Sequence, residues 1–220
     1  MTPRLVVLRP EPGNSATLAR AHAAGFDADP LALFAVEPVA WPVPDPTQHD
    51  ALILTSANGL RIGGDGVEAL HGLPVFAVGA HTADAARAHG FAVVATGAGN
   101  AQDILALAAR HGVARALHIT GEDRTLEAGG ILSKVIPVYR SAAVAIDPDA
   151  LAILPESIAL LHSARAARRV GALVDAAGLD RSRIGLAAFS PAIAAAAGPS
   201  WRSIAIAATP DDAALFAALT

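Results

Sequence analysis

Residues 51–57 read ALILTSA, and residues 158–164 read IALLHSA. Each is a short, near-continuous apolar run that ends in Ser-Ala. Each is followed four positions later by an arginine, Arg61 and Arg168. Unbroken apolar runs of this length suit strands buried on both faces, as in a parallel sheet covered by helices. The likeness extends outward from these runs. PVFAVG at 74–79 is matched by GLAAFS at 185–190, and both lead into Ala-rich helical stretches. Asn100-Ala101-Gln102-Asp103 introduces ILALAA, and Thr209-Pro210-Asp211-Asp212 introduces AALFAA. Asn100 and Thr209 are expected N-caps, with acidic residues in the first turn of each helix. Three units in the same order, offset by about 107–111 positions, imply two related α/β domains.

The rest of the chain fits this alternation. Further apolar runs fall at 4–8, 31–36, 92–95, 115–119, 131–139 and 203–208. Val170, Leu173, Val174 and Ala177 follow helical spacing, and Gly25, Gly90, Gly112 and Gly178 stand where helices should stop. Residues 1–36 lie outside both repeats, and a strand-turn-helix-strand there completes the sheet of the C-terminal half. Domain 1 is therefore expected to comprise 1–36 and 148–220, and domain 2 to comprise 47–136. The Pro-rich segments 37–46 and 137–147 are the expected crossings between them, because proline resists both helix and central strand.

Composition narrows the function. Of the 220 residues 53% are apolar, enough for sizeable cores, and there is no cysteine, which removes thiolate metal sites and Cys nucleophiles. The eight histidines are scattered without metal-ligand spacing, so no metal is expected. A net charge of −4 and the lack of a basic stripe argue against nucleic acid as a partner. Arg165, Arg168 and Arg169 form the one dense basic cluster, read as an exposed helix face or an anion contact. No apolar run reaches the roughly 20 residues of a membrane span, and a cytoplasmic address is expected. Neither a Gly-x-Ser-x-Gly elbow nor a phosphate-binding Gly-Lys-Ser/Thr loop occurs. Gly97-Ala98-Gly99-Asn100 opens like a dinucleotide loop, but Gln102 stands where a third glycine belongs.

What remains is a set of strand-to-helix junctions rich in small and polar residues: Arg9-Pro10, Ser56-Ala57-Asn58-Gly59, Gly79-Ala80-His81-Thr82, Thr120-Gly121-Glu122, Ser163 and Ser190-Pro191. Ligands of open parallel sheets bind at the carboxyl ends of the strands, and free N–H groups at helix N-termini accept anions. Singly, each Ser, Thr or Asn is also an ordinary helix cap. Together they suggest a site for a polyanion.

These residues resemble the uroporphyrinogen-III synthase family over essentially the whole chain. The matching motifs are Arg9-Pro10, His49-Asp50 before LILTSANG at 52–59, AVGAHTA at 77–83, Gly121-Glu122 after RALHIT, Tyr139 in VIPVYRS, and Ala208-Thr209-Pro210 before the last helix. The resemblance implies two flavodoxin-like parallel-sheet domains joined by a two-stranded linker, with the active-site cleft between them. It also implies a cofactor-free reaction. Linear hydroxymethylbilane loses its terminal hydroxyl as water, the far pyrrole attacks through its substituted carbon, and a spiro intermediate reopens and recloses with that ring inverted. On this resemblance Tyr139 is the catalytic candidate, assisting departure of the hydroxyl. Arg9, Ser56, Asn58, Gly79, Thr82, Gly121, Ser163 and Ser190 are the substrate-binding candidates, and a monomer is expected. The chain departs from the family pattern at Ser190-Pro191-Ala192-Ile193-Ala194, which lacks a hydroxyl near position 193, and at His162, read as a strand-end residue where Thr is common. The alternatives are a non-catalytic cytosolic binder of a tetrapyrrole or another polyanion, and a nucleotide-dependent transferase of the same architecture.

Overall fold

The computed structural model describes residues 3–124 and 126–219. In chain order the elements are β1 (Arg4–Val7), α1 (Gly13–Ala23), β2 (Ala28–Pro30), β3 (Phe34–Pro38), β4 (Ala51–Leu54), α2 (Asn58–Ile62), β5 (Val75–Val78), α3 (Ala80–Ala88), β6 (Val93–Gly97), α4 (Ala101–Arg110), β7 (Ala116–Gly121), β8 (Leu132–Ala143), β9 (Ser157–Leu161), α5 (Ala164–Ala176), β10 (Gly185–Ala188), α6 (Pro191–Ala195), β11 (Ser203–Ile206) and α7 (Asp212–Ala217). Short 3₁₀ turns fill several connections. The chain divides into two compact units, Met1–Ala35 with Ala142–Thr220, and Val36–Ser141.

The first unit holds a sheet ordered β11-β10-β9-β1-β2, with every pair parallel. Counted along the chain, the five strands lie 2-1-3-4-5, and the order reverses between β1 and β9. Successive strand residues feed opposite faces. Leu5, Val7, Ile158, Leu160 and Ala187 meet Ala21 of α1 and Leu215 and Phe216 of α7, whereas Val6, Leu8, Ala159, Leu161 and Leu186 meet Ala167, Val170 and Val174 of α5. Period-two alternation with apolar residues on both faces makes the strands read as continuous hydrophobic runs.

The second unit repeats the arrangement. Its sheet runs β3-β8-β7-β4-β5-β6, and the five strands β8-β7-β4-β5-β6 are parallel. Leu52, Leu54, Val75, Ala77, Leu117 and Ile119 face one core, and Ala51, Ile53, Phe76 and Ala116 face the other with Ile104 and Ala108 of α4. At the sheet edge β3 lies beside β8. The amide of Val39 donates to the carbonyl of Val138 at 3.0 Å, and Arg140 pairs with Glu37 at 2.9 Å.

Local chemistry sets the ends of the elements. Gly25, Gly90, Gly112 and Gly178 each adopt positive φ just past a helix, a conformation that favours glycine. Asn100 caps α4 by accepting from the Asp103 amide at 2.8 Å. Two expectations need correction. The run 31–36 is not one strand: β2 ends at Pro30 and β3 begins at Phe34, while Leu31 and Leu33 between them are buried in the first unit's core. Proline lacks a ladder donor, which suits a short edge strand. The cap of α7 is Asp211, which accepts from the Ala214 amide at 2.8 Å. Thr209 instead hydrogen-bonds the Asp211 carboxylate from outside the helix.

Candidate functional site

In both units the candidate residues collect where strands give way to helices. In the second unit β4 runs into Ser56, whose hydroxyl accepts from the Asn58 amide at 3.1 Å. The Asn58 side-chain oxygen accepts from Arg61 at 2.8 Å. Both residues are half-buried. After β5, Gly79 turns the chain with φ +79° into α3, and nothing stands within 4 Å of the place a Cβ would take. This helix has no side-chain cap, so the N–H groups of its first turn are free to face an anion. Thr82, in that turn, is buried at 5% exposure.

Tyr139 lies on β8 directly opposite Gly121, the last residue of β7, and the Glu122 amide donates to the Tyr139 carbonyl at 2.9 Å. The ring is half-buried and packs against the core that Leu117, Ile119 and Val138 share. Gly121 is buried, with the tyrosine ring where its Cβ would stand. The same strand carries His118, also buried, whose Nδ1–H donates to the Ile53 carbonyl at 2.9 Å. Burial pushes the His118 imidazole down, and Arg124 adds to this, against the opposing effect of its hydrogen bond.

In the first unit the switch between β1 and β9 gathers the charged groups. Arg9 follows β1 and folds back across Gly13 at the start of α1, where a Cβ would lie 2.9 Å from its Cζ. Its hydrogen bond, from Nη1 to the Thr17 hydroxyl, is 3.3 Å long, and no carboxylate pairs with it among the described residues. Burial draws its guanidinium below the ordinary value, opposed by the charge of Asp212 and reinforced by that of Arg20. Asn14 braces the turn by donating to the carbonyls of Val7 at 2.9 Å and Arg9 at 2.8 Å. Ser163 and Ser190 do serve as caps, accepting from the amides of Ala166 at 3.2 Å and Ile193 at 3.3 Å.

Sequence reasoning missed the centre of this cluster. Asp212, in the first turn of α7, accepts from the Thr17 hydroxyl at 2.8 Å, from Arg20 Nε at 2.8 Å and from His162 Nε2 at 2.9 Å. Burial works against its charge, but the hydrogen bonds from His162, Thr17 and Arg20 prevail and hold its carboxyl well below the usual range. His162 is thus more than a strand-end residue: its ring is buried, stacks edge-on to Phe189 at 4.6 Å and carries an Nδ1 with no partner among the described residues. The available signal was a His immediately after an apolar strand together with an acid in a first helical turn, but 50 residues separate them. The basic cluster also resolves. Arg165 and Arg168 are exposed, whereas Arg169 is half-buried and donates to the Val144 carbonyl. Arg165 and Arg169 both lie over the Phe34 ring, at 4.4 and 5.5 Å.

Among the described residues no group of three acidic or histidine side chains is placed to hold a metal, and no helix is long and apolar enough to cross a membrane. The family model for uroporphyrinogen-III synthase HemD, called HEM4, matches residues 15–217. Among solved structures, the chain is similar to uroporphyrinogen-III synthetase from Helicobacter pylori at 16% identity, covering 99% of this chain and 97% of that one with a TM-score of 0.64. That likeness is one of fold. A mutant uroporphyrinogen III synthase from the extremely thermophilic bacterium Thermus thermophilus aligns at 19% identity over 98% of this chain and 97% of its own, with a TM-score of 0.48. No curated protein matches the chain.

Proposed function

The chain belongs to the uroporphyrinogen-III synthase family, and on that footing we propose how its own residues serve the family's reaction. The enzyme is a cyclising hydro-lyase that converts hydroxymethylbilane to uroporphyrinogen III and water, within porphyrin and heme biosynthesis. The observation that carries this reading is the family match across nearly the entire chain.

The chemistry asks for positioning more than for strong acid or base groups. Once its hydroxyl departs, the substrate is intrinsically reactive, and the enzyme must present the substituted carbon of the last ring rather than the free one. Holding a flexible polyanion in one geometry can supply much of the rate. We assign the uncapped first turn of α3, introduced by Gly79, to one or more substrate carboxylates. Arg9 is the cationic partner from the first unit, since it is half-buried and lacks a carboxylate of its own. Ser56, Asn58, Ser163 and Ser190 shape the neighbouring strand ends, and each already holds a local hydrogen bond. Thr82, in the first turn of α3, is assigned to the same carboxylate site.

Tyr139 supports hydroxyl departure by donating its phenolic hydrogen bond. No hydrogen bond within the described residues occupies that phenol, so it is available to a substrate oxygen. The finer architecture belongs to the same proposal. Two flavodoxin-like domains, with boundaries near 36 and 148 and near 47 and 136, both lend strand ends to one substrate, and the paired segments 37–46 and 137–147 join them. We also propose that the protein acts as a cytoplasmic monomer without a cofactor.

The test generates hydroxymethylbilane in place, adds the chain, and separates the oxidised products. Type III isomer in proportion to added protein is the expected result. Type I alone, at the uncatalysed rate and with folded protein, would remove the reading. Tyr139→Phe should slow turnover severalfold with type III still formed, and an unchanged rate would take Tyr139 out of the mechanism.

A further inference from the structure

Gly121 is buried in a way that its backbone does not require. It is not among the residues with positive φ, so an L side chain would be tolerated at that dihedral. What excludes one is the tyrosine. A Cβ on Gly121 would lie 2.7 Å from Tyr139 Cε2, 2.9 Å from Cζ and 3.2 Å from the phenolic oxygen. The ring is a rigid plane on two rotatable bonds, so its end cannot bend away as a long aliphatic chain can. The whole side chain would have to rotate. Here the backbone also departs from a regular ladder: the register between β7 and β8 shifts between Thr120 and Gly121. Such irregularities bend a strand and re-aim its side chains.

We infer that Gly121 is a positioning residue, a seat that sets the height and direction of the Tyr139 phenol at the end of β7, rather than a substrate-binding residue. The inference rests on the proposed role of Tyr139. The phenol acts only if its oxygen meets the departing hydroxyl, and a displacement near 1 Å in such a group costs up to about 100-fold in rate. Gly121 acts through the ring and through nothing else.

The experiment measures kcat and KM for type III formation in Gly121→Ala, Tyr139→Phe and the double variant. The expected result is a fall in kcat for Gly121→Ala of about 10-fold or more, KM within about twofold, and a double variant no slower than Tyr139→Phe alone. If Tyr139→Phe is slow while Gly121→Ala keeps wild-type kcat, or if the two losses multiply, the seat is refuted and the tyrosine's role stands. If Tyr139→Phe turns over at the wild-type rate, the role of the phenol fails first. Should Gly121→Ala not fold, Gly121→Ala with Tyr139→Ala decides. Recovery of folding when the ring is removed supports the seat, and a double variant that stays unfolded overturns it.

Discussion

Replacing Asp212 by alanine should destabilise the first unit by about 3 kcal/mol, a figure that follows from what the carboxylate holds. The Thr17 hydroxyl is fully buried and the His162 ring is 7% exposed, and both donate to Asp212. Each would be left without its acceptor, at about 1–3 kcal/mol apiece. Arg20 also donates, but its side chain is 52% exposed and can turn to water, so its share is small. Asp212→Asn keeps the volume and one acceptor oxygen, and should cost about half as much. Chemical or thermal unfolding followed by circular dichroism measures this. At roughly 4 °C per kcal/mol the alanine variant's first-unit transition should fall by about 12 °C, with the Val36–Ser141 unit unmoved. Acid titration adds a second check. The folded carboxyl is held below its unfolded value, so its contribution is present above the unfolded pKa of about 3.9 and is lost as pH falls below that. The gap between wild type and Asp212→Asn should be constant from about pH 5 upward and should close in stronger acid. A loss under about 0.5 kcal/mol in Asp212→Ala, the range of an ordinary surface change, would refute the view of Asp212 as the hub.

Gly13→Ala should displace the Arg9 guanidinium, a flexible end able to move, and so raise KM severalfold while stability holds or rises by up to about 1 kcal/mol; an unchanged KM would remove Arg9 from substrate binding. His118 is pushed down by burial, so its neutral form belongs to the fold and its contribution is complete above about pH 6.5. Stability should then fall by up to about 1.4 kcal/mol per pH unit below that value until the folded histidine titrates. In His118→Asn that part of the slope, read from urea midpoints between about pH 5 and 7, should be missing.

Much of the fold was legible because the strands are buried on both faces. ALIL at 51–54 and IALL at 158–161 alternate between two helix layers, and every position is apolar in consequence. Helix ends were legible from glycines whose backbone needs positive φ. The split of 31–36 was not, because Leu31 and Leu33 are buried and their amides still donate to the carbonyls of Val7 and Leu8, as strand residues would. The candidate site was legible as a list of junctions, less so as chemistry. Arg9 was legible as the junction after the first strand, whereas the role of Tyr139 came from family resemblance. Gly121 was legible as a junction residue but not as the seat of a ring, and Gly13 not at all, since which ring or guanidinium crosses a glycine is decided by packing between distant segments. Asp212 reads locally as a helix-end acid, because its partners Thr17, Arg20 and His162 reach it from far along the chain.

The order of strands in the first sheet bears on how the protein is made. β1 is central there, between β2 and β9, yet β9 leaves the ribosome only after all of Val36–Ser141 has been synthesised. At about 5–20 residues per second the amino-terminal strand waits roughly 8–30 seconds for its neighbour. The Val36–Ser141 unit is continuous and can mature while that strand still lacks β9. Its folding also brings together the two points where the chain leaves and re-enters the first unit, shortening the loop that β1 and β9 must close. Translation thus favours one sequence of events: the inserted unit forms first and acts as the clasp on which the divided one assembles.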